Sequence, residues 1–211
     1  MIELKDITFS YSDGTRVLNK LNFKLKQDEK IGLIGPNGSG KTTIFKIIMG
    51  LLQPDQGDLI IFDKYREIEE DFLEVRERIG YLFQESDNQL FCPTVEEDIA
   101  FGPLNLGKTR KEAEQIVRDT LKLVGMSELR KKVIYNLSQG EKKIISFAAV
   151  LAMEPEILLL DEPFSSLDEK TKNRMVTILK KIEKPYIIVS HNSDLLANVI
   201  DRSFSIKELS R

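Results

Sequence analysis

The segment Gly35-Pro36-Asn37-Gly38-Ser39-Gly40-Lys41-Thr42 carries the residue types a phosphate chain requires, in the G-x-x-x-x-G-K-[ST] spacing. Its glycines let the backbone curl so that consecutive N–H groups face inward, and the start of the following helix adds a favourable dipole. Lys41 would place a point charge on the β- and γ-phosphates, and the Thr42 hydroxyl would serve Mg²⁺. The bland alternative is a Gly-rich turn with no ligand. A second candidate is the run Ile157-Leu158-Leu159-Leu160 ending in Asp161-Glu162. Asp161 at a strand tip suits Mg²⁺ held through water, and Glu162 suits polarising the attacking water. Alone, such a pair is as often two solvated acids; beside a phosphate loop, a strand ending in Asp is what phosphoryl chemistry requires. A third is Leu137-Ser138-Gln139-Gly140-Glu141, just before a helical stretch running to about Met153. Ser138 and Glu141 match the S-x-x-E capping box, and a helix start there would face an anion.

Positioning these residues calls for buried strands feeding helices. Ile31–Ile34, Ile157–Leu160 and Tyr186–Val189 are short continuous apolar runs, as in a parallel sheet covered on both faces. Each is followed by polar loop residues and a helical pattern; the helix after the phosphate loop reads as Thr43 to Leu52, stopped by Pro54. Near the start, Ile2/Leu4 and Ile7/Phe9/Tyr11 alternate with a phase slip, and Leu21/Phe23/Leu25 alternate against polar neighbours. These predict half-buried antiparallel strands, with a turn at residues 12–14. Between about 84 and 142 the pattern changes: Phe91, Pro93, Gly102, Pro103 and Gly107 break it, and Thr109–Glu112 then opens an amphipathic helix with a capping box. This predicts a helical insertion between two core strands. The expected fold is therefore α/β: a P-loop core with a mostly parallel sheet, an N-terminal antiparallel β subdomain and a helical insertion.

Bulk properties narrow the classes. With 31 Lys+Arg against 34 Asp+Glu, the formal charge of −3 weighs against a nucleic-acid partner. No apolar run approaches the roughly 18 residues of a membrane span. The start, Met1-Ile2-Glu3-Leu4, has neither a basic nor an apolar leader region, so no signal peptide is expected. A single cysteine, Cys92, and a single histidine, His191, exclude an internal disulfide and a zinc-like cluster. A cytoplasmic protein is expected, with a peripheral seat on a membrane protein left open.

Taken together and in order, these segments resemble the ABC ATPase family over essentially the whole chain, whose signature reads Leu-Ser-Gly-Gly-Gln. The resemblance implies that Tyr11 stacks on adenine, that Gly35 to Thr43 bind ATP, and that Gln84, after the strand Ile79 to Phe83, is the Q-loop glutamine and an Mg²⁺ ligand with Thr42 and Asp161. It implies Glu162 as catalytic glutamate, Ser165–Asp168 as D-loop and His191 as switch histidine. It further implies a second ABC ATPase domain meeting the first head to tail, with Leu137, Ser138, Gln139, Gly140, Glu141 and Asp168 acting across that interface, and Lys41, Gln84, Glu162 and His191 acting in cis. Read without the resemblance, Tyr11 is a strand aromatic, Asp168 a helix cap, and His191 a surface or packed residue. The sequence departs from the pattern at Gln139, at Glu141, which adds charge near phosphate, and at Asn192, where relatives often carry Asp.

Residues 83–107, with Phe83-Gln84, Asp87-x-Gln89-Leu90-Phe91 and Thr94 to Pro103, are similar to ATPases of energy-coupling factor importers, which take up vitamins or transition-metal ions such as cobalt or nickel. The segment reads as a groove for a membrane subunit, with Leu90, Phe91 and Leu104 as apolar anchors and Glu85, Glu96, Glu97 and Asp98 facing basic groups. In the alternative, Leu90, Phe91 and Phe101 belong to the core of the insertion. The chain is expected to form one ATPase domain over residues 1–211: the β subdomain and phosphate-loop half over 1–83, a helical subdomain over 84–142, and the remaining core half over 143–211. Many relatives extend beyond the point corresponding to Arg211, so a dimer weak without ATP or the membrane subunit is expected, either homodimer or paralogue heterodimer. The competing readings are an ABC ATPase of DNA repair or translation and a weakly hydrolysing nucleotide switch. Repair members need long coiled coils, and no sustained heptad occupies the roughly 95 residues between Lys41 and Leu137. Translation members carry two nucleotide domains in one chain.

Overall fold

The structure is a computed structural model that describes residues 1–191 and 193–209. The chain divides into two compact units, Met1–Ile79 with Lys184–Arg211, and Gly80–Glu183.

In the first unit, strands β1 (Ile2–Ser10), β2 (Arg16–Leu25), β4 (Gln56–Ile61) and β5 (Lys64–Tyr65) form an antiparallel sheet in the order β2-β1-β4-β5. The phase slip between Leu4 and Ile7 is a register shift within one strand. Leu4 pairs with Phe23 and Ile7 with Leu21, and Asp6 between them takes φ +50°. That extra residue is what keeps Ile2, Leu4, Ile7 and Phe9 all buried. Its own N–H and carboxylate bond to Asn22 at 3.1 and 3.0 Å. The turn at 12–14 closes with Gly14 N–H donating to Tyr11 O at 2.9 Å.

The same unit holds parallel strands β3 (Lys30–Ile34), β8 (Tyr186–Val189) and β9 (Arg202–Ser205), with β3 between the other two. Ile31, Leu33, Tyr186, Ile187 and Ile188 are fully buried, which accounts for their unbroken apolar runs. Helix α1 (Lys41–Ile48) follows β3, and α2 (Asp71–Arg78) follows β5. The expected helix over Thr43–Leu52 is thus displaced: it starts two residues earlier and ends at Ile48, where the N–H groups of Leu51 and Leu52 both donate to Lys46 O. A local hydrogen-bonded closure ends it before Pro54 is reached. Short helices α7 (Ser193–Leu196) and α8 (Ile206–Leu209) complete the unit.

The second unit carries β6 (Ile79–Leu82, from Gly80 on) beside β7 (Ile157–Asp161), with helices α3 (Val95–Asn105), α4 (Arg110–Val124), α5 (Gln139–Ala152) and α6 (Glu169–Lys181). Helices α3, α4 and α5 pack on one another around Ile99, Val117, Leu121, Ile144 and Phe147. Helix α3 runs through Gly102 and Pro103, two residues expected to break the chain. A capping box between Thr94 and Glu97 starts it, and burial of Val95, Asp98 and Ile99 holds it, so tertiary packing overrides the local penalty. Gly102 is needed there for space: a Cβ at that position would come within 2.5 Å of Met153 Cγ, just past the end of α5.

Candidate active site

The phosphate loop spans the gap between β3 and α1. Gly40 takes φ +95°, and a Cβ there would lie 2.8 Å from side-chain carbons of both Val17 and Leu18, so both conformation and space require glycine. No side chain caps α1, and its first turn contains no acid. Its leading N–H groups are therefore left to be satisfied by something other than a capping side chain. Lys41 is 6% exposed and its ammonium donates to Gly35 O at 2.7 Å and Pro36 O at 2.8 Å, held over the loop it serves. The Ser39 hydroxyl is buried with no hydrogen-bond partner, an arrangement that costs stability unless a ligand oxygen completes it. Thr43 is buried and its hydroxyl shares a 3.0 Å hydrogen bond with the Tyr11 hydroxyl, while the Tyr11 ring packs edge-on against Phe9 at 5.0 Å. Tyr11 itself stays exposed. His191 is exposed after the buried Ser190, and Asn192 lies outside the described residues.

The second unit assembles the other candidates on β6, β7 and α5. The Tyr81 hydroxyl donates to Asp161 Oδ2 at 3.3 Å, and burial with that neighbouring charge pushes the phenol well up. Gln89 turns back so that its Oε1 accepts from Phe83 N–H at 3.0 Å and its Nε2 donates to Tyr81 O at 3.2 Å. Gln84 is exposed, and its carbonyl, with that of Phe83, accepts from Lys143 on α5. Asp161 and Glu162 are both buried, at 1% and 6% exposure. Glu162 takes φ +46°, a left-handed conformation that costs a non-glycine residue about 1–3 kcal/mol and recurs at functional sites. Ser165 holds it there, donating from N–H and hydroxyl to Glu162 O at 3.1 and 2.9 Å. Asp168 caps α6, accepting from Thr171 N–H at 2.9 Å, and that bond lowers its carboxyl below the usual value.

The signature segment forms the capping box its spacing predicts. Glu141 Oε2 accepts from Ser138 N–H at 2.7 Å and from the Ser138 hydroxyl at 2.9 Å, while Glu141 N–H donates to Ser138 Oγ at 3.3 Å. The Ser138 N–H bond is the chief cause of a carboxyl held below its ordinary value. Asp87 pairs with Lys142 at 2.6 Å, which, with Gln139 nearby, holds its carboxyl below the usual value. A Cβ at Gly140 would approach Thr171 Oγ1 to 3.2 Å.

The groove expected over residues 84–107 is altered by burial. Leu90 is core, whereas Phe91, Phe101 and Leu104 are exposed, with Phe91 and Phe101 edge-to-face at 4.7 Å. Most of its acids are engaged internally. Asp98 is buried and accepts from Phe91 and Cys92 N–H at 2.9 and 2.8 Å, with burial raising its carboxyl. Glu97 closes the α3 capping box, and Glu96 pairs with Arg130 at 2.7 Å; Glu85 is exposed. Sequence reasoning passed over Tyr81 and Lys143, and took Asp87 and Gln89 only as part of a motif. Lys143 leaves a trace: it stands four residues before Phe147 on an otherwise apolar face, and a lysine so placed needs partners.

A buried strand, an uncapped glycine loop and helix, and a second buried strand ending in two acids define a P-loop nucleotide-hydrolysing protein. The profile of the ABC transporter family matches residues 18–165. The chain is 41% identical to the energy-coupling factor transporter ATP-binding protein EcfA of Methanothermobacter thermautotrophicus, over 97% of this chain and 67% of that protein. It is also 41% identical to EcfA of Methanocaldococcus jannaschii, over 97% and 75%. Among solved structures it is similar to cbiO1 from Clostridium perfringens, part of the ABC transporter complex cbiONQ, with TM-score 0.86, 33% identity and coverage of 97% of this chain and 83% of that one. A dimeric ATP-binding cassette in a post-hydrolysis state with ADP and Pi superposes with TM-score 0.88 at 26% identity, covering 97% and 94%. The chain belongs to the ABC transporter family, as an ATP-binding subunit whose hydrolysis of ATP is coupled to transport. Among the described residues no helix is long and apolar enough to cross a membrane.

Proposed function

We propose that this subunit powers uptake of a micronutrient, either a transition-metal ion such as cobalt or nickel or a vitamin, from the cytoplasmic face of the cell membrane. The observation that carries this is the 41% identity to EcfA proteins over nearly the whole chain. Residues 1–211 act as one ATPase domain that works as a dimer, with itself or a paralogue, and seats peripherally on an integral membrane subunit. The seat uses Phe91, Phe101 and Leu104, the apolar side chains the 84–107 segment leaves exposed.

Within each cis site, Gly35, Pro36, Asn37, Gly38, Ser39 and Gly40 surround the phosphates, Lys41 holds the β- and γ-oxygens, and Tyr11 stacks on adenine. Thr42, Gln84 and Asp161 would hold Mg²⁺, each offering an oxygen donor of the hard kind that ion takes. When bound, Mg²⁺ neutralises charge on the β- and γ-phosphates. Glu162 takes a proton from the attacking water, and His191 orients the γ-phosphate side of the site. Leu137, Ser138, Gln139, Gly140, Glu141 and Asp168 serve the partner domain's nucleotide. Loss of the γ-phosphate removes that bridge and releases the dimer, which turns chemistry into movement.

The test is to tag the chain in its native host, solubilise membranes in mild detergent and identify what co-purifies. A polytopic membrane protein, with or without a second ATPase and a small substrate-binding membrane protein, is expected. Recovery of soluble partners alone, with the chain absent from membranes, refutes the importer role.

A further inference from the structure

Lys143 is 4% exposed on the second turn of α5, on the same helical stripe as Phe147. A lysine is almost never so buried without partners, because the ammonium gives up its hydration. Its acceptors are two main-chain carbonyls, those of Phe83 and Gln84. Glu85, Asp161 and Glu162 lie close enough for their charges to offset part of the burial cost. The stretch it holds is fixed from other directions as well. Gln89 accepts from Phe83 N–H and donates to Tyr81 O, and Asp87 is tied to Lys142. Two successive side chains of α5, Lys142 and Lys143, thus grip residues 83–87, while the Gln84 side chain remains exposed.

We propose that Lys143 is a positioning residue for ATP hydrolysis: from the signature helix its ammonium holds the carbonyls of Phe83 and Gln84 and fixes the point from which the Gln84 side chain reaches the nucleotide. This rests on the nucleotide role proposed above for Gln84. It ties that side chain to α5, so that the groups serving the partner's nucleotide and a group serving the chain's own move as one body.

The experiment compares Lys143→Met, Gln84→Ala and the double variant in the full chain. Three quantities are measured: steady-state turnover, binding of a fluorescent ATP analogue in EDTA, and amide hydrogen exchange over residues 83–90. Lys143→Met is expected to slow turnover about tenfold and, in the Gln84→Ala background, by no more than about twofold, because residues acting through one another are not additive. Analogue affinity should stay within about twofold of the parent, while exchange at residues 84–87 rises about tenfold through local opening. Lys143→Gln, which keeps a donor and loses the charge, carries the same measurements where Lys143→Met does not fold. Fully additive losses, unchanged exchange, or affinity lost together with turnover would each overturn the positioning role. Parental turnover in Gln84→Ala overturns the Gln84 reading and the inference with it. An impaired Gln84→Ala beside an unimpaired Lys143→Met overturns the inference alone.

Discussion

Helices α1 and α5 each begin at a segment expected to meet phosphate, yet they treat their first turns in opposite ways. Helix α1 starts from a left-handed glycine, has no capping side chain and carries no acid in its first turn. Helix α5 starts from Ser138 inside a complete capping box, with its own carboxylate, Glu141, seated on the Ser138 N–H and hydroxyl. One start has no capping side chain; the other already holds a carboxylate of its own. The difference matches the division of labour proposed for them. On the proposed function, a start that binds the chain's own ATP is served by having no capping side chain, whereas one that meets the partner's nucleotide only on closure is served by a stable cap.

The largest expected effect tests whether chemistry belongs to either start. Glu162 lies on neither, and Glu162→Gln should lower turnover by about 10²–10⁴-fold, the range for losing a general base, while ATP binding persists and a nucleotide-bound dimer accumulates. Normal turnover in that variant sinks the assignment. Next in size, Lys41→Ala should weaken ATP binding by about 100-fold, the scale of removing a charge partner from a buried pair. Ser138→Ala should leave binding to the isolated chain unchanged. In mixed dimers, Lys41→Ala on one protomer and Ser138→Ala on the other should damage the same site and leave one intact; equal damage to both sites would break the contrast between the two helix starts. The smallest effect concerns the anion already in place. Glu141→Gln should raise turnover by about 2- to 5-fold, the worth of one charge at a helix start. Slower turnover would mean that Glu141 aids the partner's phosphate.

The same residue has a pH signature. Its carboxyl lies below 4.5 in the folded chain. A depressed value means that its contribution to stability is full above 4.5 and lost as pH falls through the folded value. Acid melting curves of Glu141→Gln should lack that portion of the acid slope.

The sequence carried the chemistry further than the packing. The phosphate loop, the acid pair after β7, both capping boxes at Thr109 and Ser138, and the buried strands were legible because each is a local pattern tied to local geometry. Helix α3 was not, since Gly102 and Pro103 speak against a helix until Met153 is known to lie against Gly102. The acids after Gln84 misled for a related reason: a carboxylate looks the same in sequence whether it faces solvent, as Glu85 does, or closes a loop from inside, as Asp98 does.

The close approach of Gly102 to Met153 has a mechanical consequence. Helix α5 is 14 residues long, so about 20 Å separates that contact from Ser138. Helix α3, which carries the exposed Phe101, packs on this rod and meets Met153 just past one end, and the signature stands at the other. A load on α3 that tilts the rod by about 3° would carry Ser138 sideways by about 1 Å, roughly a third of a hydrogen-bond length. The Gly102–Met153 contact thus lies a helix length from Ser138, and a side chain added at position 102 would displace Met153 at the far end of that lever.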